Sequence, residues 1–272
     1  MFGPKFEQPK IRKELEKEAE PKEVNWEKLE ELDVIESHTG TMPSAVFFPS
    51  GKVMAGVEGS VIRTWLSQTG EEMGKFETPA EQVLSLAPTP DSNIVYGDSE
   101  GKVRILNPRD GEQLKEMACS TKEITSVGFL PDGNVIYGGK DGLIGILHTQ
   151  SGHELKHFET KVGEVSALAV LPDNRVVVGG KDGFIRIINL QTGQEIVSYK
   201  IGDEPITALT VAPGQVIIAG NEKGVVKALD NGKEVKVMEG HTDAVTALTY
   251  VAEDGRLQSA SKDGTMRTWG SK

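Results

Sequence analysis

The chain has 272 residues, a net charge of −11, 37% hydrophobic residues and one cysteine. An acidic chain repels phosphate backbones, so no direct nucleic-acid binding is expected. One cysteine, Cys119, cannot close an internal disulfide, and no Cys/His set has zinc spacing. No apolar run reaches the length of a membrane span, and the opening Met-Phe-Gly-Pro-Lys lacks the apolar core of a signal peptide, so no membrane insertion and an intracellular, by default cytoplasmic, setting are expected.

Residues 1–30 read as a charged tail, with seven basic against eight acidic residues. Ile11–Ala19 is rich in Glu and Lys and predicts a helix that stops near Pro21; a second short helix is predicted over Trp26–Leu32. Phe2, Phe6 and Trp26 are the candidate anchors if this tail is a docking arm, and a solvated leader is the alternative.

From residue 31 onward the chain repeats. The turn after the second predicted strand of each unit ends in Gly59, Gly101, Gly142, Gly183, Gly224 and Gly264, spaced 42, 41, 41, 41 and 40 residues apart. A second series, Gly70, Gly111, Gly152, Gly193 and Gly232, keeps the same phase, as do the turns that begin at Pro49, Pro90, Pro131, Pro172 and Pro213. Between the markers lie short runs rich in Val, Ile, Tyr and Phe. In the fourth unit they are 165–171, 175–179, 184–189 and 195–199. Asp-Gly between two such runs signals a tight hairpin. Each unit is thus a four-stranded meander that cannot bury both faces alone, and six stacked radially can. The blades expected are about 39–78, 79–120, 121–160, 161–200, 201–239 and 240–272.

The sixth unit ends after its third strand at Trp269, and the segment Glu31 to Thr39 aligns with Glu234 to Thr242, so residues 31–37 are expected to supply the missing outer strand. Two arrangements fit six units: a ring that closes at six, which this match favours, or an open ring that accepts a blade from a partner.

The last unit resembles the WD40 family residue by residue. It carries Gly240-His241, Ser259, Asp263-Gly264 and Trp269, with 22 residues from His to Asp, four from Ser to Asp and six from Asp to Trp. The resemblance implies an all-β, six-bladed β-propeller over residues 31–272. It also implies a buried hydrogen-bonded tetrad of His241, Ser259, Asp263 and Trp269 that is structural rather than catalytic. The other units depart from the pattern. Trp65, Leu106, Leu147, Ile188 and Leu229 stand at the Trp position, and Met54, Tyr96, Tyr137, Val178 and Ala219 at the Ser position. Those blades are expected to be held mainly by apolar packing.

In the WD40 arrangement the loops before each first strand, with the Asp-Gly turns, form the narrow face where peptides dock. Here they carry Glu81, Glu123, Glu164, Glu204 and Asp243, with Lys122, Lys140, Lys181, Lys223 and Lys262 close in sequence. This face is the candidate partner site, either a charge-balanced surface or an acidic ring that receives a partner's Arg or Lys. His148, His153 and His157 cluster in the third unit but fall on different strands and faces, so exposed polar side chains are expected rather than a metal site. No calcium loop, phosphate-binding loop or nucleophile elbow is present in the sequence. The expectation is a non-enzymatic scaffold subunit that binds other proteins, with no cofactor and no small-molecule substrate. An adaptor for a basic peptide is the runner-up.

Overall fold

The structure is a computed structural model, and it describes residues 25–36, 44–48, 51–119 and 121–271. The Phe2 and Phe6 anchors and the predicted helix over Ile11–Ala19 lie outside these residues.

Six four-stranded antiparallel sheets form the blades. From the ring centre outward, blade 1 comprises Ala45–Phe47, Val53–Glu58, Val61–Leu66 and Glu72–Glu77. Blade 2 comprises Val83–Pro88, Ile94–Asp98, Lys102–Leu106 and Gln113–Ala118. Blade 3 comprises Ile124–Phe129, Val135–Gly139, Leu143–Leu147 and Glu154–Glu159. Blade 4 comprises Val165–Leu171, Arg175–Gly180, Phe184–Asn189 and Glu195–Lys200. Blade 5 comprises Ile206–Ala212, Val216–Asn221, Val226–Asp230 and Lys233–Met238. Blade 6 comprises Val245–Val251, Arg256–Ser261 and Thr265–Gly270, and its fourth, outer strand is Glu30–Glu36. That N-terminal strand pairs antiparallel with Thr265–Gly270, from Glu30 opposite Gly270 to Glu36 opposite Thr265.

Burial follows position in the blade. The second strands of blades 2 and 3 are buried at every residue, because a neighbouring blade covers each face. Outer strands are polar and largely exposed, as in Glu72–Glu77 and Glu195–Lys200. In blades 2, 4 and 5 the turn between third and outer strands sits under an aromatic ring of the preceding blade, Phe76, Phe158 and Tyr199. At Gly193 φ is +72°, and a Cβ would lie 2.9 Å from Phe158 of blade 3, so both the backbone and the neighbour demand glycine.

Inner strands of blades 2 to 6 each break register near their second residue. The bulge re-aims the side chain there. In blade 3 the Thr125 hydroxyl donates to the Val165 carbonyl of blade 4 (2.6 Å), and in blade 4 the Ser166 hydroxyl donates to the Ile206 carbonyl of blade 5 (2.5 Å). These bonds tie neighbouring inner strands around a central channel lined by the small and hydroxyl residues of all six inner strands.

The ring is closed. Phe47, Met54 and Trp65 of blade 1 share one core cluster with Ala247, Ala260 and Met266 of blade 6, and Ile35 of the N-terminal strand packs on it. No gap is left for a partner's blade. The second predicted tail helix is corrected: only Trp26–Lys28 forms a single 3-10 turn, and the chain is extended from Glu30 onward. Strand pairing with blade 6 overrides the good intrinsic helix propensity of Glu and Leu here. Leu29, between turn and strand, is buried in the blade 5–6 core.

Closure by residues 30–36 makes a direct prediction. A chain starting at Gly40 is expected to melt about 10 °C or more below one starting at Asn25, since losing a strand costs several kcal/mol and each is worth roughly 2–4 °C at this size. Equal melting temperatures would refute it.

Candidate functional site

The strand ends of blade 6 bring four polar side chains together. The Trp269 indole N–H donates to Ser259 Oγ (2.9 Å), Ser259 Oγ lies 2.8 Å from His241 Nε2, and His241 Nδ1 lies 3.0 Å from Asp263 Oδ2. The chain of donors resolves the tautomer: Ser259 gives its proton to Nε2, and Nδ1–H donates to Asp263. Asp263 also accepts from the Thr242 N–H (2.9 Å), the Thr265 N–H (2.8 Å) and the Thr265 hydroxyl (2.7 Å). His241 and Ser259 are buried, and every polar atom of the set is occupied within the blade. Such a closed network rigidifies; it leaves no group free to attack a substrate.

The family model described as WD domain, G-beta repeat, matches residues 111–146, 145–189 and 232–270, the last of which contains all four residues. The chain is a six-bladed β-propeller that carries WD40 repeats. Among curated proteins no match to the chain is found. WD40 propellers typically serve as non-enzymatic interaction scaffolds that bind other proteins or peptides.

The remaining blades use a different lock, which the sequence reading missed. Their third strands carry Arg63, Arg104, Gly145, Arg186 and Lys227, and blade 6 adds Arg267, with spacings of 41, 41, 41, 41 and 40. Arg63 pairs with Glu72 (2.8 Å), Arg186 lies 3.7 Å from Glu195, Lys227 pairs with Glu234 (2.9 Å) and Arg267 pairs with Glu31, each acid standing on the outer strand of the same blade. Blade 3 has Gly145 instead, where any Cβ would run into the Tyr137 ring, and the Tyr137 hydroxyl donates to Glu154 (2.8 Å). In blade 2, Arg104 is 1% exposed and pairs with the buried Asp98, with Glu116 through Nε (2.9 Å) and with Glu100 (3.3 Å). These pairs stand beside the apolar cores that were expected to hold these blades mainly. Blade 1 shows why the family tetrad is not simply conserved in part: its Trp65 packs beside Met54, and Trp65 Nε1 is buried with no hydrogen-bond partner among the described residues.

On the narrow face, each of three expected acids is held by a lysine of its own blade: Glu123 by Lys140 (2.9 Å), Glu164 by Lys181 (2.7 Å) and Glu204 by Lys223 (3.4 Å). Among the described residues Glu81, Lys122 and Lys262 have no ion pair, and Asp243 Oδ1 accepts the Ala244 N–H (2.6 Å). Trp26 is half-buried and packs, with Val235 of blade 5, on the core around Leu29. His148 Nδ1 contacts Ser151 Oγ (2.9 Å) and His157 Nδ1 contacts Glu154 (3.1 Å). Among the described residues no three of His, Cys, Asp and Glu stand together as a metal site. Burial pushes the Cys119 thiol up to about 12, far from the thiolate form. No helix among these residues is long and apolar enough to cross a membrane.

Two outcomes follow for stability. Burial holds the His241 imidazole below its ordinary 6.5 in spite of Asp263. The unfolded chain takes up a proton there that the folded blade refuses, so stability is lost as pH falls below about 6.5. Asp263 lies below its ordinary 3.8: burial raises it, but the Thr265 hydroxyl and the Thr242 and Thr265 N–H groups outweigh that, and its share is lost only at more acidic pH. The melting temperature should fall between pH 7 and pH 5, and fall less in His241→Gln; identical pH profiles would refute the assignment. Arg104→Ala should cost about 3–5 kcal/mol by urea denaturation, because it strands a buried Asp98. Lys227→Ala, whose pair is partly exposed, should cost at most about 1 kcal/mol. Equal costs would refute the distinction.

Proposed function

We propose that the protein is a non-catalytic scaffold subunit of a larger assembly, binding other proteins through the outer surface of the ring. One observation carries this reading. Met73, Leu114, Leu155 and Ile196 occupy the same position of four successive outer strands, 41 residues apart, and are 50%, 46%, 57% and 51% exposed. At the next repeat position, Val235 is partly buried against the core on which Trp26 packs, just outside the ring. The chain thus shows at one blade how an added segment with an indole covers this position, and it leaves four copies uncovered. Repeated exposed apolar groups on an otherwise charged rim suit partner contact.

The basic-peptide reading has less support. A partner's Lys or Arg would have to displace the lysines already on Glu123, Glu164 and Glu204. A reducing, cytoplasmic setting suits a chain with one partly buried, protonated thiol.

The test is affinity purification from the native cells, comparing the full chain with Leu114→Glu/Leu155→Glu/Ile196→Glu. Exposed substitutions should change stability by about 0.5 kcal/mol or less each. The variant is expected to fold and to lose its co-purifying proteins. An unchanged partner set, or a wild-type protein that runs only as a free monomer, would overturn the reading.

A further inference from the structure

Connections between inner and second strands, and between third and outer strands, all lie on the wide face. Six equal blades would build equivalent grooves there, but the repeat is broken at blade 2. Pro88 ends its inner strand where the neighbouring repeats place Phe47, Phe129, Val170 and Val211. Pro108 follows its third strand at a position where blades 1, 3 and 5 have Ser67, Thr149 and Asn231 and blade 4 has Leu190, which is buried in the blade 3–4 core. Both prolines line a cleft of about 600 Å³ between blade 1 and the loops of blades 2 and 3. Its lining includes Phe48, Phe129 and the half-exposed Met73.

Two properties say what fits. The walls contain four prolines, Pro88, Pro90, Pro108 and Pro131, so they are stiff and offer no amide donor at those positions. An occupant therefore gains from buried side chains, with little ordering of the cleft itself. The charge is the second property: Arg109 is the one charged residue lining the cleft, in a chain of net charge −11. It is exposed, and its guanidinium has no ion pair among the described residues. The acids nearby in sequence are already engaged: Asp91 accepts from the Thr89 hydroxyl (2.5 Å) and Asn93 Nδ2 (2.9 Å), and Asp110 accepts from Asn107 Nδ2 (3.0 Å) and the Glu112 N–H (3.0 Å).

We propose that this cleft docks an apolar segment of a partner protein that carries an aspartate or glutamate beside its apolar residues, with the carboxylate paired to Arg109. The proposal rests on the protein-binding reading above but names a separate site, on the wide face rather than around the rim, with Met73 common to both.

A phage library of random linear dodecapeptides, panned on the purified full chain, tests it without presupposing a partner. Enriched peptides are expected to share apolar residues flanking an Asp or Glu. A synthetic consensus peptide, followed by fluorescence anisotropy, should bind about tenfold or more weakly to Arg109→Glu and to Met73→Glu, and within about threefold of wild type to Arg109→Lys. Both positions are exposed, so the variants should fold, and unchanged melting temperatures verify this. No enrichment, a consensus without an acid, or binding indifferent to Arg109 would overturn the proposal. Co-purification that depends on Leu114, Leu155 and Ile196 would still stand in that case, so the two failures are separable.

Discussion

The antiparallel pairing of Glu30–Glu36 with Thr265–Gly270 fixes everything else in this molecule. A ring of meanders has a first and a last edge, and an open edge is both unstable and prone to pair with other chains. Borrowing the outer strand of the last blade from the start of the chain removes both edges. It also sets a tolerance on every blade, because six sheets meet themselves only if each has nearly the same width and twist. The near-constant spacing of 40–42 residues between turn glycines is the sequence record of that tolerance.

Within this constraint the blades solve one problem in two ways. Each third strand must be fastened to its outer strand, whose other edge faces solvent. Blade 6 uses the Arg267–Glu31 pair, and its tetrad of His241, Ser259, Asp263 and Trp269 ties the second and third strands to the loop before the first. Blades 1, 4 and 5 use a basic–acid pair at the rim, where water still screens the charges and the pair contributes little. Blade 2 has drawn its cation inward: Arg104 is buried against the buried Asp98 of the second strand and still reaches Glu116 on the outer strand. Blade 3 has dispensed with the cation and substituted a phenol over Gly145. The shared feature is geometric: a polar atom of the third or second strand must reach the outer strand at one repeat position, and several chemistries can supply it.

That explains what was legible beforehand. Glycine and proline turns have specific backbone demands, so Gly59 to Gly264 and Pro49 to Pro213 marked out the blades, and strands such as Val165–Leu171 fall where the β-branched runs stand. The N-terminal strand was legible because Glu31 to Thr39 repeats the pattern of an outer strand. The ladder from Arg63 to Arg267 was also written at constant spacing, but Gly145 interrupts it and each acid lies across a turn, so neither half looks like a pair along the chain. The acids of the narrow face were visible as a series; their lysines stand nearly a full hairpin away, and only folding shows that Glu123 meets Lys140. Trp26 read as a free anchor because an isolated tryptophan in a charged stretch gives no sign that Val235, more than two hundred residues on, lies beside the same core.

A repeat protein separates the two kinds of information by periodicity. What recurs every 41 residues and is met within the chain, by burial or by a partner of its own blade, maintains the ring, since all six blades face the same packing problem. What occurs once and leaves apolar surface open to water is not a requirement of the ring, since five other blades do without it. By that criterion the mutual ion pairs of the narrow face, which recur in blades 3, 4 and 5, belong to the architecture. Pro88 and Pro108 do not: Pro88 removes bulk that Phe47, Phe129, Val170 and Val211 keep, Pro108 stands where blade 4 buries Leu190, and apolar wall beside both is left open to water. Exposing apolar surface costs free energy in the isolated protein. An arrangement that incurs this cost at one blade, beside the cleft's one charged side chain, is understandable as a surface shaped by something other than folding.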